Sequence, residues 1–217
     1  MPSENMKKWM PFWRKLTDVN GVVVVEGFAM FPENLIAKVE RKGEPLQALN
    51  LSGMGLTGMA DKVRDFSDAN MDDVVAGPRA PLTRYLVERA RGAEDNSSFP
   101  MIPPMAGVDF ADFSESDLSR VTLRNACLNL AILRGADMRD ANMAGASLIA
   151  ADLRDANLDG ADFNGVKVSA QTLFSPGQLR KAKNLHQAIV VGLDGRVKPG
   201  QTLTADGISM EQSPRMG

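Results

Sequence analysis

Ala151-Asp152-Leu153-Arg154-Asp155, Ala156-Asn157-Leu158-Asp159-Gly160 and Ala161-Asp162-Phe163-Asn164-Gly165 follow one another without a gap. Each unit opens on a small residue and carries a large apolar one in its third place. The frame runs unbroken from Ala106 to Val168, thirteen units in all. The third places are Val108, Phe113, Leu118, Leu123, Leu128, Leu133, Met138, Met143, Leu148, Leu153, Leu158, Phe163 and Val168. Alanine holds most first places, and Asp or Asn recurs in the second, as at Asp112, Asn142 and Asn157.

A period of five suits neither regular element. Along an α-helix five residues turn about 140°, which would spread the large residues around every side. Along a strand an odd period would send them to alternate faces. The pattern closes only if the chain turns a corner in every unit, so that each small–x–large pair faces one interior. Asx side chains and glycines near the corners suit tight turns. Such a coil stacks turn on turn and buries a continuous core, as a solenoid does.

These units resemble the pentapeptide-repeat family, whose signature is A(D/N)Lxx. The resemblance covers about a third of the chain. It implies an all-β fold, a right-handed quadrilateral β-helix with four units per coil. The expected core is Phe113, Leu118, Leu123, Leu128, Leu133, Met138, Met143, Leu148, Leu153, Leu158 and Phe163. Short helical caps and non-repeat terminal segments are expected to flank it.

The rest divides around that stretch. Residues 1–47 read as a non-repeat arm with short strands, Asn20-Gly21 marking a turn beside the β-branched run Val22 to Val25. Pro32 to Leu46 reads as mixed, with a charged run from Lys38 expected at the surface. In 48–76 the fives return in degenerate form, a first coil or a cap. Gly53, Gly55 and Gly58 also spell G-x-G-x-x-G, but no βαβ pattern surrounds them, so a nucleotide loop is not supported. Residues 77–105 interrupt the frame, with a helix expected over Pro81–Arg91. The repeat stretch is taken as 106–174, with Leu173 still in frame. Residues 175–217 should hold a capping helix opened by Ser175 and Gln178, a hairpin near Asp194-Gly195, and a flexible or partner-bound tail from Lys198.

Composition narrows the function. The net charge of the 217 residues is −2, which argues against direct binding of nucleic acid through phosphates. One cysteine, Cys127, permits no internal disulfide and suits a reducing compartment. It stands in a second place, which the repeat points outward. With one histidine, His186, no transition-metal cluster is expected. The repeat stretch carries ten acids against six basic residues, net −4, and the acids recur where turns need capping. No secretory signal or membrane span is visible, so a cytoplasmic location, or one inside a phage particle or other assembly, is expected. The pattern supplies no catalytic, cofactor or metal residues, and a filled solenoid offers no catalytic cleft.

What remains is surface. The segment Met1–Leu16 holds Trp9, Phe12, Trp13 and Arg14, which suit packing on the chain itself, docking on a protein partner, or contact with a membrane interface. The leading expectation is a non-enzymatic structural or protein-interaction protein of bacterial or phage origin, with homo-oligomerisation open. The resemblance adds two alternatives: some family members mimic DNA and bind DNA gyrase, and others are secreted bacterial effectors.

Overall fold

The computed structural model describes residues 13–28, 33–56, 64–76 and 111–210 of the 217. Its bridges give the geometry at once. Asp112 pairs with Ile132 and Ile132 with Asp152; the series Asp117–Asp137–Asn157, Thr122–Asn142–Asp162 and Cys127–Ser147–Lys167 run beside it, all parallel. Every step in these four series is 20 residues, or four units of five (Ile149 N–H reaches the Asn129 side chain across one such step). The coil is therefore four-sided, a right-handed quadrilateral β-helix. The four series define its first (Asp117), second (Thr122), third (Cys127) and fourth (Asp112) faces.

Backbone chemistry makes the corners. The fifth place of eleven consecutive units, Glu115 to Gly165, has φ between 55° and 76°. A positive φ at the third residue of a four-residue turn is what lets the chain double back, and Gly, Asn and Asp accept it most readily. The turn closes by a backbone bond from each first place to the preceding third place, such as Ser116 N–H to Phe113 O at 3.1 Å and Ala151 N–H to Leu148 O at 3.1 Å. The second-place carboxylate or amide then caps the turn. Asp112 Oδ1 accepts from Ser114 N–H at 2.8 Å, Asp117 from Ser119 at 2.8 Å and Asp162 from Asn164 at 3.0 Å. Flat faces stack through paired backbone bonds, for example Leu118 N–H to Asp137 O at 2.7 Å and Asp137 N–H to Ser116 O at 3.0 Å.

The interior is filled. The third-place residues from Phe113 to Phe163 are at most 2% exposed, and the first-place alanines between them at most 4%. A small residue beside each large one leaves room for the large side chains of the facing walls. Phe66 and Phe113 meet edge-to-face at 6.2 Å.

The coil extends above the regular stretch. Asn50 pairs with Asn70 and Gly55 with Val75, so the Gly53–Gly55 segment is coil wall rather than a nucleotide loop. Gly53 has φ 69°, the corner conformation. Between Val75 and Cys127, as between Asn70 and Thr122, the step is 52 positions instead of the regular 20. The 32 surplus positions fall within residues 77–110, outside the described residues. The gap closes where it opens, with Ala111 N–H donating to Ala76 O at 2.8 Å. The helix expected over Pro81–Arg91 lies outside the described residues.

The upper end is sealed by β1 (Trp13–Asp18) and β2 (Val23–Phe28), an antiparallel hairpin around Asn20-Gly21. β1 also pairs antiparallel with β3 (Leu49–Asn50), which joins the hairpin to the second face. Across it lies α1 (Glu33–Lys42), where a mixed and exposed segment was expected. Leu35, Ile36 and Val39, spaced as one helical stripe, are at most 1% exposed and share the core of the coil. The helix stops in a Schellman motif: Glu44 N–H reaches Val39 O, Gly43 N–H reaches Glu40 O, and Gly43 has φ 70°.

The lower end departs further from expectation. An extra residue near Gln171 breaks the frame, since Asp152 pairs with Leu173 at a step of 21. Thr172 (7% exposed) takes the inward small place, Leu173 the outward pairing place, and Phe174 packs on the core. The helix expected from Ser175 is a run of turns. Gly177, with φ 73°, cannot sit in a first helical turn. Gln178 does accept from Ser175 N–H at 2.8 Å, as in a capping box, but its amide donates to Leu153 O and Ala156 O at 2.6 and 2.7 Å. The carbonyls of the coil above thus outcompete a local helix. The coil continues instead: Lys183 pairs with Asp162, and β5 (Ile189–Val190) pairs parallel with β4 (Lys167–Val168). A tight antiparallel return joins Val191 to Val197 around Asp194-Gly195. The tail from Lys198, expected to be flexible or partner-bound, carries a hairpin, β6 (Gln201–Thr204) with β7 (Gly207–Met210), whose Leu203 is 2% exposed in the core.

Candidate interaction surface

With the interior filled, chemistry is left to the second, fourth and fifth places, which project outward at the faces and corners. Most of the charged ones are tied to one another. Arg120 forms a two-point bridge to Asp68, both contacts at 2.7 Å, spanning two coils. Arg124 reaches Asp72 at 2.5 and 2.8 Å, and its backbone N–H donates to the same carboxylate at 2.9 Å. Arg139 clasps Asp137 and Arg154 clasps Asp152, each two residues along one wall. Lys181–Asp159 at 2.6 Å extends the pattern downward. Two-point arginine–carboxylate bonds fix both partners more firmly than a lysine contact.

The electrostatics follow. The Arg139 guanidinium holds the Asp137 carboxyl below the ordinary range, and Arg120 does the same for Asp68. For Asp72 and Asp152, burial pushes upward as the largest single influence. The bonds from Arg124 and Arg154 outweigh it, so these carboxyls also lie below their usual value. All four acids are thus ionised partners of a neighbouring arginine at neutral pH.

Trp9 and Phe12 lie outside the described residues, while Trp13 and Arg14 open β1, opposite Phe28 and Gly27. Trp13 and Arg14 are thus part of the capping hairpin, whose Leu16 is fully buried. His186 is exposed in a 3-10 turn (Leu185–Gln187). Cys127 points away from the interior, yet is 8% exposed, more covered than its place in the unit suggests. Among the described residues no group of three or more His, Cys, Asp or Glu side chains is arranged to hold a metal ion. No described helix is long and apolar enough to cross a membrane. A groove of about 340 Å³ opens at the lower end, lined by Gln171, Val191, Leu193, Asp194 and Lys198 among others.

Sequence reasoning missed one feature. At the corner between the third and fourth faces the fourth and fifth places are Asn129 and Leu130, then Ile149 and Ala150, and all four are buried. At the other corners the same places hold Arg120, Asn125, Arg139, Asp140, Arg134 and Asp155, mostly exposed. The signal was present: apolar residues in places that elsewhere carry charge.

The profile of the Pentapeptide repeats family matches eight copies of the unit over residues 109–135 and 131–169. No curated protein matches the chain. Among solved structures, the chain is similar to a pentapeptide repeat protein of the Arabidopsis thaliana thylakoid lumen at 32% identity, over 37% of this chain and 51% of that one, with a TM-score of 0.27. It is also similar to a pentapeptide repeat protein of Nostoc PCC 7120 at 31% identity, over 37% of this chain and 72% of that one, with a TM-score of 0.23. HetL, a protein involved in the regulation of heterocyst differentiation in Nostoc sp. strain PCC 7120, aligns at 21% identity over 69% of this chain and 64% of that one, with a TM-score of 0.38. The chain thus spans about half the length of the first of these structures and under two thirds of HetL.

Proposed function

Because the chain belongs to the pentapeptide-repeat family, we propose that it works as a non-enzymatic protein-interaction module, its rigid outer faces and N-terminal segment serving as docking surface within a larger assembly. The observation that carries this reading is the locked exterior. Second-place side chains cap the turns, arginines clasp the carboxylates beside them, and the backbone of each wall is bonded to the next. A surface whose rotamers are fixed before contact loses little entropy on binding. The filled interior supports the same reading, since no described carboxylate pair faces an enclosed cleft.

The gyrase-binding DNA-mimic alternative asks for a continuous acidic face. Here Asp68, Asp72, Asp137 and Asp152 are each covered by an arginine, which interrupts any such field. A supercoiling assay with gyrase and a quinolone separates the two, because relief of inhibition by saturating protein would favour mimicry.

The direct test is capture of partners from native lysate by three proteins in parallel: the full chain, a deletion of residues 1–12, and the double variant Arg139→Glu, Arg154→Glu. The deletion stops short of β1, since removing Leu16 would damage the cap itself. A partner lost with residues 1–12 places docking on the N-terminal segment. One lost with the charge reversals places it on the coil wall. Absence of any saturable partner for the full chain would sink the proposal.

A further inference from the structure

We infer that the corner between the third and fourth faces is the docking strip for the chain's own segment 79–110, which enters and leaves the coil at that corner. Four observations converge. The register lengthens this one coil by 32 positions, and no other described coil by more than two. The entry and exit are pinned together by the bond between Ala111 N–H and Ala76 O. In the frame of five, Ala76 holds a third place, as Leu128 does one coil below. The corner at which the described chain breaks off after Ala76 therefore belongs to the same column as Asn129 and Leu130.

The strip below that exit is built for cover. Leu130, Ile149 and Ala150 are 6%, 1% and 3% exposed, although their places project outward. They form a second apolar cluster with Val191, outside the interior of the coil, and Ile189 and Leu193 flank its lower end. Asn129, 1% exposed, accepts from Ser147 Oγ at 2.7 Å and from Ile149 N–H at 3.0 Å, so the strip's polar edge is satisfied within the coil. Leu130 and Ala150 also hold φ of 61° and 57°. An ordinary residue is strained in the left-handed region. A leucine there makes physical sense when its side chain is covered, because burial offsets the strain. The segment supplies matching chemistry: Leu82, Tyr85, Leu86, Phe99, Met101, Ile102 and Met105 are apolar. A second copy of the chain or a foreign protein would have to reach the same strip past the point where these residues leave the coil.

The experiment uses the full chain and its single cysteine, Cys127, on the wall beside the strip. Leu130→Asn keeps a residue suited to positive φ and removes the apolar contact. Ile149→Asn removes the apolar contact one coil down, and Glu115→Asn at an exposed corner of φ 58° is the control. Two rates are read: modification of Cys127 by an aromatic disulfide reagent, and tryptic cleavage after Arg84, Arg89 and Arg91. Both strip variants are expected to raise both rates about tenfold or more, with the control unchanged. Unchanged rates in the strip variants would overturn the inference. So would protection of Cys127 in the unaltered protein that fades on dilution, because that would make a second copy the occupant. Should the variants not fold, a diazirine-bearing aliphatic analogue in place of Leu130 reports directly. Adducts mapping to residues 79–110 support the docking; adducts confined to 189–193, or joining two chains, refute it.

Discussion

Leu153 and Arg154 are neighbours in sequence and opposites in environment. Leu153 is fully buried in the coil; Arg154 stands at a corner and reaches back to Asp152. Every unit repeats this contrast. The inward places repeat one chemistry along the whole stack, small then large. The outward places carry acids, bases, amides and, most densely at the corner between the third and fourth faces, apolar residues, on an unchanged backbone. Shape is thus set from inside, and the exterior is free to vary so long as each corner tolerates a positive φ.

The sharpest way to break the contrast is to put charge inside. Leu153→Arg leaves a guanidinium unpaired in a filled interior and is expected to cost about 4 kcal/mol or more, enough to unfold much of the coil. A melting curve close to that of the unaltered protein would mean that the interior is not packed as described. Leu148→Ala tests packing alone, with an expected loss of about 2–5 kcal/mol in denaturant unfolding, depending on how far the walls collapse into the cavity.

Corners should respond less, and to conformation rather than polarity. Gly160 and Gly165 both occupy left-handed corners, with φ of 76° and 66°. A methyl group on Gly160 would run into the Asp140 carboxylate, whereas one on Gly165 would stand 3.7 Å from the Gly145 backbone. Gly165→Ala should cost roughly 1–2 kcal/mol from strain alone, and Gly160→Ala more, because Asp140 must also move. Equal melting temperatures for the two variants would contradict this stacking.

The smallest effect is the titration of the clasped acids. Their carboxyl groups lie below the ordinary value in the folded chain, so the stability they confer is present at neutral pH. It begins to fall as pH drops through the usual carboxylate range, near about 4, and is gone once pH falls below the folded value. The melting temperature should be level from neutrality to about pH 5 and decline below about pH 4. Asp137→Asn should flatten the decline, and an unaltered acid limb in that variant would remove Asp137 from the account.

The readability of the sequence follows the same division. The inward places are constrained by volume at every step, so the period and the core residues could be read from identities alone, while four units per coil came only with the family resemblance. Where the constraint is local it was also readable, as in the Asn20-Gly21 hairpin. The misreadings arose where long-range bonding overrode a local signal. Ser175 and Gln178 carry a helix-start pattern, but the carbonyls of Leu153 and Ala156 claim the Gln178 amide. Leu173 matches the frame by residue type, yet one added residue turns it outward and brings Phe174 in. The stripe of Leu35, Ile36 and Val39 was legible as a helix, but the lysines and arginines around it made the segment look like surface. The apolar corner was visible as composition, but its meaning depends on where residues 77–110 depart, which only the pairing register shows.

That register carries a further consequence. Ala76 and Ala111 lie within one backbone hydrogen bond, although the whole of segment 77–110 stands between them in sequence. The coil therefore has a parting line at which the covalent chain contributes little beyond tethering. The closure entropy of a connection changes only slowly with its length. Two separate polypeptides, one ending after the upper coils and one beginning at the regular stretch, would meet across three bridged walls and the interior side chains between them. Two such pieces would recognise each other by the same rules that stack one coil upon the next.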